Sequence, residues 1–340
     1  AVVSMLMSCQ AVANSVSGET RTGLDFRHLV RMTDERGLIQ FAQGEKPDTR
    51  SGYTIDDNAR AFIVALIWED ETGRELAGRY AGFLCRAQRE DGTWCNWWLP
   101  ERGFVTDLDS DDSLGRAFLA SCLGAVRGEG EVQENSCRML KKALPAVERL
   151  RYPRGIAYAV IAGSLLAKGM PDLRECGYQI AAELGDGLAS LYLQNREPGW
   201  WWFEDALTYC NGVLPQALFA YYEVKAEKRV LAMAEDSLRF LGDAVFARGY
   251  LTPVGNRGWW ARGGSMPLFD QQPVEACSMV LACLFAHRVT GKIEYKEMAA
   301  MAHAWYFGKN IQGLSLYNRD TGGCHDALTP EGLNLNQGAE

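Results

Sequence analysis

Asp56-Asp57-Asn58-Ala59-Arg60-Ala61-Phe62-Ile63-Val64-Ala65-Leu66 opens on two acids and continues with small and apolar residues on most faces. A helix so composed has almost no polar stripe to turn to water, so it belongs inside a helical assembly. Ala157 to Leu166 and Val274 to Ala286 share this character. Helices of a second kind lie between them, such as Glu131 to Leu150 and Lys228 to Phe246, whose charges keep to one face. Buried helices therefore alternate with surface helices along the chain.

Outward from that stretch, the 3.6-residue periodicity predicts eleven helices, near 21–33, 57–69, 73–90, 111–127, 131–149, 154–168, 172–194, 206–224, 228–246, 272–289 and 293–310, with a twelfth from about Asn336. Links from buried to surface helix are tight, at 70–72, 128–130, 169–171, 225–227 and 290–292. Links from surface to buried helix are long, at 34–56, 91–110, 195–205, 247–271 and 311–335, with 150–153 the short exception. Parallel inner helices would gather every long loop at one end, where function usually resides. The starts of the inner helices are also related: Asp56-Asp57-Asn58-Ala59-Arg60-Ala61, Asp111-Asp112-Ser113-Leu114-Gly115-Arg116-Ala117, Asn211-Gly212-Val213-Leu214-Pro215-Gln216-Ala217, Gln271-Gln272-Pro273-Val274-Glu275-Ala276 and Asn336-Gln337-Gly338-Ala339-Glu340. Their period of roughly fifty to sixty residues exceeds that of most two-helix solenoids. The expectation is an all-α (α/α)6 toroid, one domain over residues 1–340, with a sixth inner helix cut short at the C-terminal end.

The 340 residues, 47% of them hydrophobic and 23% charged, suffice for a large core. A formal charge of -8 argues against nucleic acid as a partner, since phosphate binding needs concentrated Lys and Arg. No apolar run reaches the roughly 18 residues of a membrane span, which predicts no membrane partner. Residues 1–16 contain Ala11-Val12-Ala13, which could end a signal peptide, but lack a basic start and read as a helix of the fold. Ten cysteines without paired metal spacing or a compact disulfide pattern suggest reduced thiols in a cytoplasmic protein.

Acidic residues cluster where inner helices begin: Asp56 and Asp57, then Asp107, Asp109, Asp111 and Asp112, then Glu204 and Asp205, then Asp270 and Glu275. Glycoside hydrolysis needs two carboxyls across the scissile bond, and convergent helix N-termini can supply them. Asp at a helix start is also favoured by capping and by the helix dipole, an alternative that holds for each residue singly. Tryptophans crowd the long loops: Trp94, Trp97 and Trp98; Trp200, Trp201 and Trp202; Trp259 and Trp260. Aromatic planes suit the C–H faces of sugars, though such rings equally serve to pack loops onto a scaffold.

Gln88-Arg89-Glu90-Asp91-Gly92-Thr93-Trp94 and Asp109-Ser110-Asp111-Asp112 resemble the QW motif and acid motif of class II terpene cyclases. His28, His287, His303 and His325 lack the spacing of a zinc site, and no Walker A or G-x-G-x-x-G sequence occurs, so neither metal nor cofactor is expected.

Gly52-Tyr53-Thr54-Ile55-Asp56-Asp57-Asn58-Ala59-Arg60-Ala61, Gly322-Gly323-Cys324-His325-Asp326 and Leu333-Asn334-Leu335-Asn336-Gln337-Gly338-Ala339-Glu340 resemble a six-hairpin-glycosidase-like family, often fused to or encoded beside glycosyltransferase domains. The resemblance covers nearly the whole chain. It implies an (α/α)6 barrel, a role in glycan metabolism and a glycosyltransferase as partner. It carries over Tyr53, Asp56, Asp57, Asn58, Arg60, Asp326, Asn336, Gln337 and Glu340 as motif positions. Phe41 stands where relatives tend to carry His, and Ala327 where Gly is usual.

The reading is a glycoside hydrolase, or a related glycan-processing enzyme, acting on an oligosaccharide. Asp57 and Asp112 are the expected carboxyl pair, with Asp205, Asp270 and Glu275 in reserve. Expected around the substrate are Tyr53, Asp56, Asn58, Arg60, Trp97, Trp98, Asp111, Arg116, Trp201, Trp202, Glu204, Asn211, Trp259, Trp260, Gln272, Asp326, Asn336 and Gln337. Two rivals stay open: a non-catalytic glycan-binding or scaffolding domain serving a glycosyltransferase, and a terpene-cyclase-like enzyme.

Overall fold

A computed structural model describes residues 25–68 and 70–339. Residues 1–16, the start of the helix expected at 21–33, and Glu340 lie outside the described residues. Eleven α-helices occur among those described: α1 (Arg27–Arg31), α2 (Ile55–Ala65), α3 (Glu71–Ala87), α4 (Asp111–Arg127), α5 (Gly130–Val147), α6 (Pro153–Gly169), α7 (Arg174–Asn195), α8 (Val213–Lys225), α9 (Lys228–Val245), α10 (Pro273–Thr290) and α11 (Ile293–Ala304). Each matches an expected helix. Several end a few residues early, such as α2 at Ala65 rather than 69, and two in the second unit are clearly shorter than the periodicity suggests. The one expected over 206–224 starts at Val213, because Ala206 and Leu207 pair with another loop and Cys210 takes a left-handed turn at φ 48°. The one expected to reach 310 stops at Ala304, beyond which the Asn310 side chain donates to the Trp305 carbonyl at 3.0 Å. Residues 335–339 carry no regular structure. No helix of the described residues is long and apolar enough to cross a membrane.

The chain forms two compact units, Leu29–Gly187 and Leu188–Gly338, the latter together with residues 25–28. In the first, α2, α4 and α6 pack in succession, α3 lies on α2, and α5 lies on α4. In the second, α8 packs on α10, with α9 on α8 and α11 on α10. The two kinds of helix differ as composition requires. α4 buries twelve of its 17 residues and α5 only six of its 18, so α4 is the inner member of that hairpin.

Among the described residues, nine strands of two or three residues all lie in the long connections. β1 (Ala42–Gln43) pairs with β2 (Lys46–Pro47). β3 (Tyr53–Thr54) pairs with β4 (Trp97–Leu99), and β4 with β5 (Gly103–Val105). The loops before α2 and α4 are thereby stitched together, Tyr53 opposite Trp98 and Thr54 opposite Trp97. In the second unit β6 (Ala206–Leu207) pairs with β7 (Trp260–Ala261), joining the loops before α8 and α10. β8 (Ala327–Thr329) and β9 (Gly332–Asn334) form a hairpin bridged to Gln271. Within each unit, loops leading into inner helices therefore share one side of it.

α4 and α6 meet at two glycines. A methyl group on Gly115 would fall 2.6 Å from the Gly155 carbonyl oxygen, and one on Gly155 would fall 2.5 Å from that of Asp111. This contact sits in the first turns of both helices and brings their polar N-terminal side chains together. In an unpacked helix Gly→Ala gains up to about 1 kcal/mol. Here Gly115→Ala should instead cost about 1–2 kcal/mol through overpacking. A lowered midpoint in thermal or urea unfolding is the expected result, and an unchanged or raised one would contradict the close contact.

Candidate active site

The N-terminal turns of α2, α4 and α6 carry a polar cluster. Thr54 caps α2: its hydroxyl accepts the Asp57 backbone N–H at 3.1 Å and donates to Asp57 Oδ2 at 2.5 Å. The other Asp57 oxygen accepts from Arg60 at 2.5 Å, one turn along, and the Asp57 side chain is 6% exposed. Asp56 points elsewhere. Its Oδ1 accepts from Arg116 of α4 at 2.8 Å and its Oδ2 from the Asn96 amide at 3.0 Å. Arg116 also donates to the Tyr158 hydroxyl of α6 at 3.1 Å and lies over that ring. One arginine thus joins the ends of three inner helices.

Ser110 caps α4 in a reciprocal capping box with Ser113. The capping oxygens are thus those of Thr54 and Ser110, and all four aspartates at these two helix starts are left for other contacts. Asp111 accepts the backbone N–H groups of Arg151 and Tyr152 at 2.7 and 2.9 Å, which pins the short link before α6. Asp112 is buried in the first turn of α4, and Arg154 is buried in the first turn of α6. Asn58 is fully buried and clamps Leu38 through both its N–H and its carbonyl. The Tyr53 hydroxyl donates to Asp34 at 2.5 Å, and burial pushes its pKa well above the usual phenol value, so it remains a donor. Trp97 donates to the Ser51 carbonyl at 3.0 Å, while Trp98 packs edge-on against Tyr53 and carries the Arg36 guanidinium 3.7 Å above its ring.

In the second unit Glu275, in the first turn of α10, accepts the backbone N–H groups of Cys210 and Asn211 and, at 3.1 Å, the Asn211 amide. The Asn211 side chain closes the turn further by bonding Thr208 N–H and carbonyl. Gln272 stands at the N-cap position of α10 without a side-chain capping bond. Asp270 pairs with Arg257 at 3.0 Å. Asp205 is 87% exposed and pairs with Arg262, which ranks it as a surface ion pair worth about 0–1 kcal/mol. Glu204 is half-buried and offers its carbonyl to Trp200.

The tryptophans divide into two sorts. Trp202 is fully buried and Trp260 is anchored, its indole donating to Gly264 and stacking on Phe240. Trp201 is exposed beside Arg196, and Trp259 is half-buried against Tyr209. Near the C-terminal end, Asp326 accepts the Gly338 N–H at 2.6 Å, Asn336 offers its carbonyl to Asp326 N–H, and the buried Gln337 accepts from the Thr321 hydroxyl. These motif residues tie 336–338 onto 321–326. Among the described residues no group of His, Cys, Asp and Glu is arranged to hold a metal ion.

Sequence reasoning did not single out Tyr158 and Asn96, which the structure places in the polar cluster, or Tyr209, which packs against Trp259. Tyr158 follows no acidic motif, because α6 begins Pro153-Arg154-Gly155. The signal for it was Gly155 itself, a small residue that lets α6 approach α4 one turn before the tyrosine.

No family model matches the sequence, and no curated protein is significantly similar to it. Solved structures are similar in fold. A cellobiose 2-epimerase from Spirochaeta thermophila aligns over 97% of this chain and 90% of its own, with TM-score 0.70 and 14% identity. A cellobiose 2-epimerase from Bacillus thermoamylovorans aligns over 96% and 92%, with TM-score 0.71 and 10% identity. An α-mannanase of Bacteroides thetaiotaomicron aligns over 95% and 87%, with TM-score 0.55 and 10% identity. The chain therefore has the six-hairpin-glycosidase-like (α/α)6 fold expected from its sequence.

The Asp56–Arg116 pair, with side chains 22% and 12% exposed, is sheltered enough to contribute measurably. A double-mutant cycle of Asp56→Asn and Arg116→Met should give a coupling energy of about 1–3 kcal/mol in unfolding experiments. Additive losses would mean that the pair does not form in solution.

Proposed function

We propose that this protein is a carbohydrate-processing enzyme acting on an oligosaccharide or glycan, in the first instance a glycoside hydrolase. The observation that carries the reading is the charged cluster in the first turns of α2, α4 and α6, set in helices that are otherwise apolar. Burying ion pairs rarely adds stability over well-packed apolar residues. Their concentration where loops enter the inner helices therefore supports a chemical role. Asp57 and Asp112 are the proposed carboxyl pair, with Asp56, Asn96, Arg116 and Tyr158 as hydrogen-bonding groups for sugar hydroxyls and Trp97 and Trp98 as apolar walls. Asp205, Asp270 and Glu275 stand behind them. Glu275 also holds the Cys210–Asn211 turn, through backbone and amide N–H groups. The nine described cysteines are free thiols, which supports a cytoplasmic setting, where a glycosyltransferase is the proposed partner.

A second reading, sugar epimerisation or isomerisation, is favoured by one observation: the two epimerases resemble this fold more closely than the mannanase does. One experiment separates the readings. Purified protein is incubated with a panel of di- and oligosaccharides in D2O, with reducing ends and deuterium at C2 followed together. Hydrolysis raises the number of reducing ends. Epimerisation leaves that number constant and exchanges the C2 proton. For hydrolysis, folded Asp57→Asn and Asp112→Asn proteins should each lose about 100-fold or more in kcat/KM; full activity in both would reject the assignment.

A further inference from the structure

We propose that Tyr209 and Trp259 form an aromatic platform that stacks on a pyranose ring of a bound oligosaccharide; the proposal rests on the carbohydrate reading above. The two rings lie 6.0 Å apart between centroids at 46°, with Tyr209 37% exposed and Trp259 half-buried. Tyr209 keeps part of its surface exposed, and residues beside both rings are firmly held. Trp260, next to Trp259, is held by its indole bond to Gly264, by stacking on Phe240 and by an edge contact with Trp200. Arg262 ties the same strand to the Asn195 carbonyl at 2.8 Å and to Glu197 at 3.2 Å. On the other side, Glu275 grips the backbone of Cys210 and Asn211, directly after Tyr209.

Both supports are conformationally demanding. Cys210 and Trp259 sit in the left-handed region at φ 48° and 52°, which side chains other than glycine disfavour. The surroundings point to the ligand. Tyr209 is exposed, and the chain leading into Trp259 carries Asn256 and Arg257, the latter paired with Asp270 at 3.0 Å. Aromatic faces of this kind suit the apolar C–H face of a sugar ring.

The test uses the full chain, with cellobiose, maltose and mannobiose as probes, by isothermal titration and saturation-transfer NMR. Wild type is expected to bind at least one probe, with saturation reaching the ring C–H protons. Tyr209→Ala and Trp259→Ala should each weaken it roughly ten-fold, Trp259→Phe should restore most of the affinity, and Trp259→Leu should not. Tyr152→Ala, at a tyrosine 69% exposed elsewhere, should change nothing. If wild type binds a probe and both alanine variants bind it equally well, the platform is wrong while the carbohydrate reading stands. A loss of affinity with Leu no greater than with Phe also overturns it. If wild type neither binds nor converts any sugar, the carbohydrate reading fails and the platform with it.

Discussion

The backbone contact between α4 and α6 at Gly115 and Gly155 is the constraint on which the polar end of the first unit depends. With carbonyl oxygens where side chains would otherwise stand, the two helices are fixed in register at their first turns. Everything polar nearby follows from that register. Asp111 can reach the N–H groups of Arg151 and Tyr152 only because the chain enters α6 directly beside it. Arg116, directly after Gly115, meets Tyr158, about one turn beyond Gly155, because the glycine contact sets the two helices side by side there. The short 148–152 link, an exception among the surface-to-buried connections, is the same constraint seen along the chain.

The cluster's position also has an electrostatic reason. An inner helix buried on all sides cannot hold charge along its middle, where desolvation has no compensation. Its N-terminal turn can, because free N–H groups and the helix dipole favour carboxylates there. Thr54 and Ser110 take the capping positions, which leaves Asp56 and Asp57 to divide between two arginines on different helices. The neighbouring acids thus do different work. Asp57 closes a local loop with Thr54 and Arg60, whereas Asp56 spans to α4 and, through Asn96, to the loop carrying Trp97 and Trp98.

The fold was legible because it is written twice, in composition and in connection length. Helices without a polar face had to be inner ones, and tight links had to join them to their outer partners. Both patterns survive the degeneracy of the repeat. Boundaries failed where tertiary pairing overrode periodicity: Ala206 and Leu207 continue an apolar pattern but are drawn into a strand by Trp260 and Ala261. The candidate site was legible only as a neighbourhood. Paired acids announced the helix starts, but a sequence does not reveal which acid caps, which binds an arginine on another helix and which holds a backbone. Tyr158 and Asn96 belong to no motif and enter through geometry alone.

The same distinction separates the aromatic residues, and it alters how a tryptophan-rich loop should be read. Trp200, Trp202 and Trp260 are structural in a specific sense. Two of them direct their indole N–H groups to carbonyls and all three are packed by other rings, so they fix the loops that carry them. Fixing those loops is what allows adjacent positions to face outward without collapsing onto the core. In a mobile loop an exposed indole would fold back to bury its area, since each such side chain gains a few kcal/mol from burial. Rings left outside therefore depend on rings placed inside. Trp259 and Trp260, like Trp200 and Trp201, are consecutive, so within each pair one ring anchors the loop while the other keeps part of its surface out of the core.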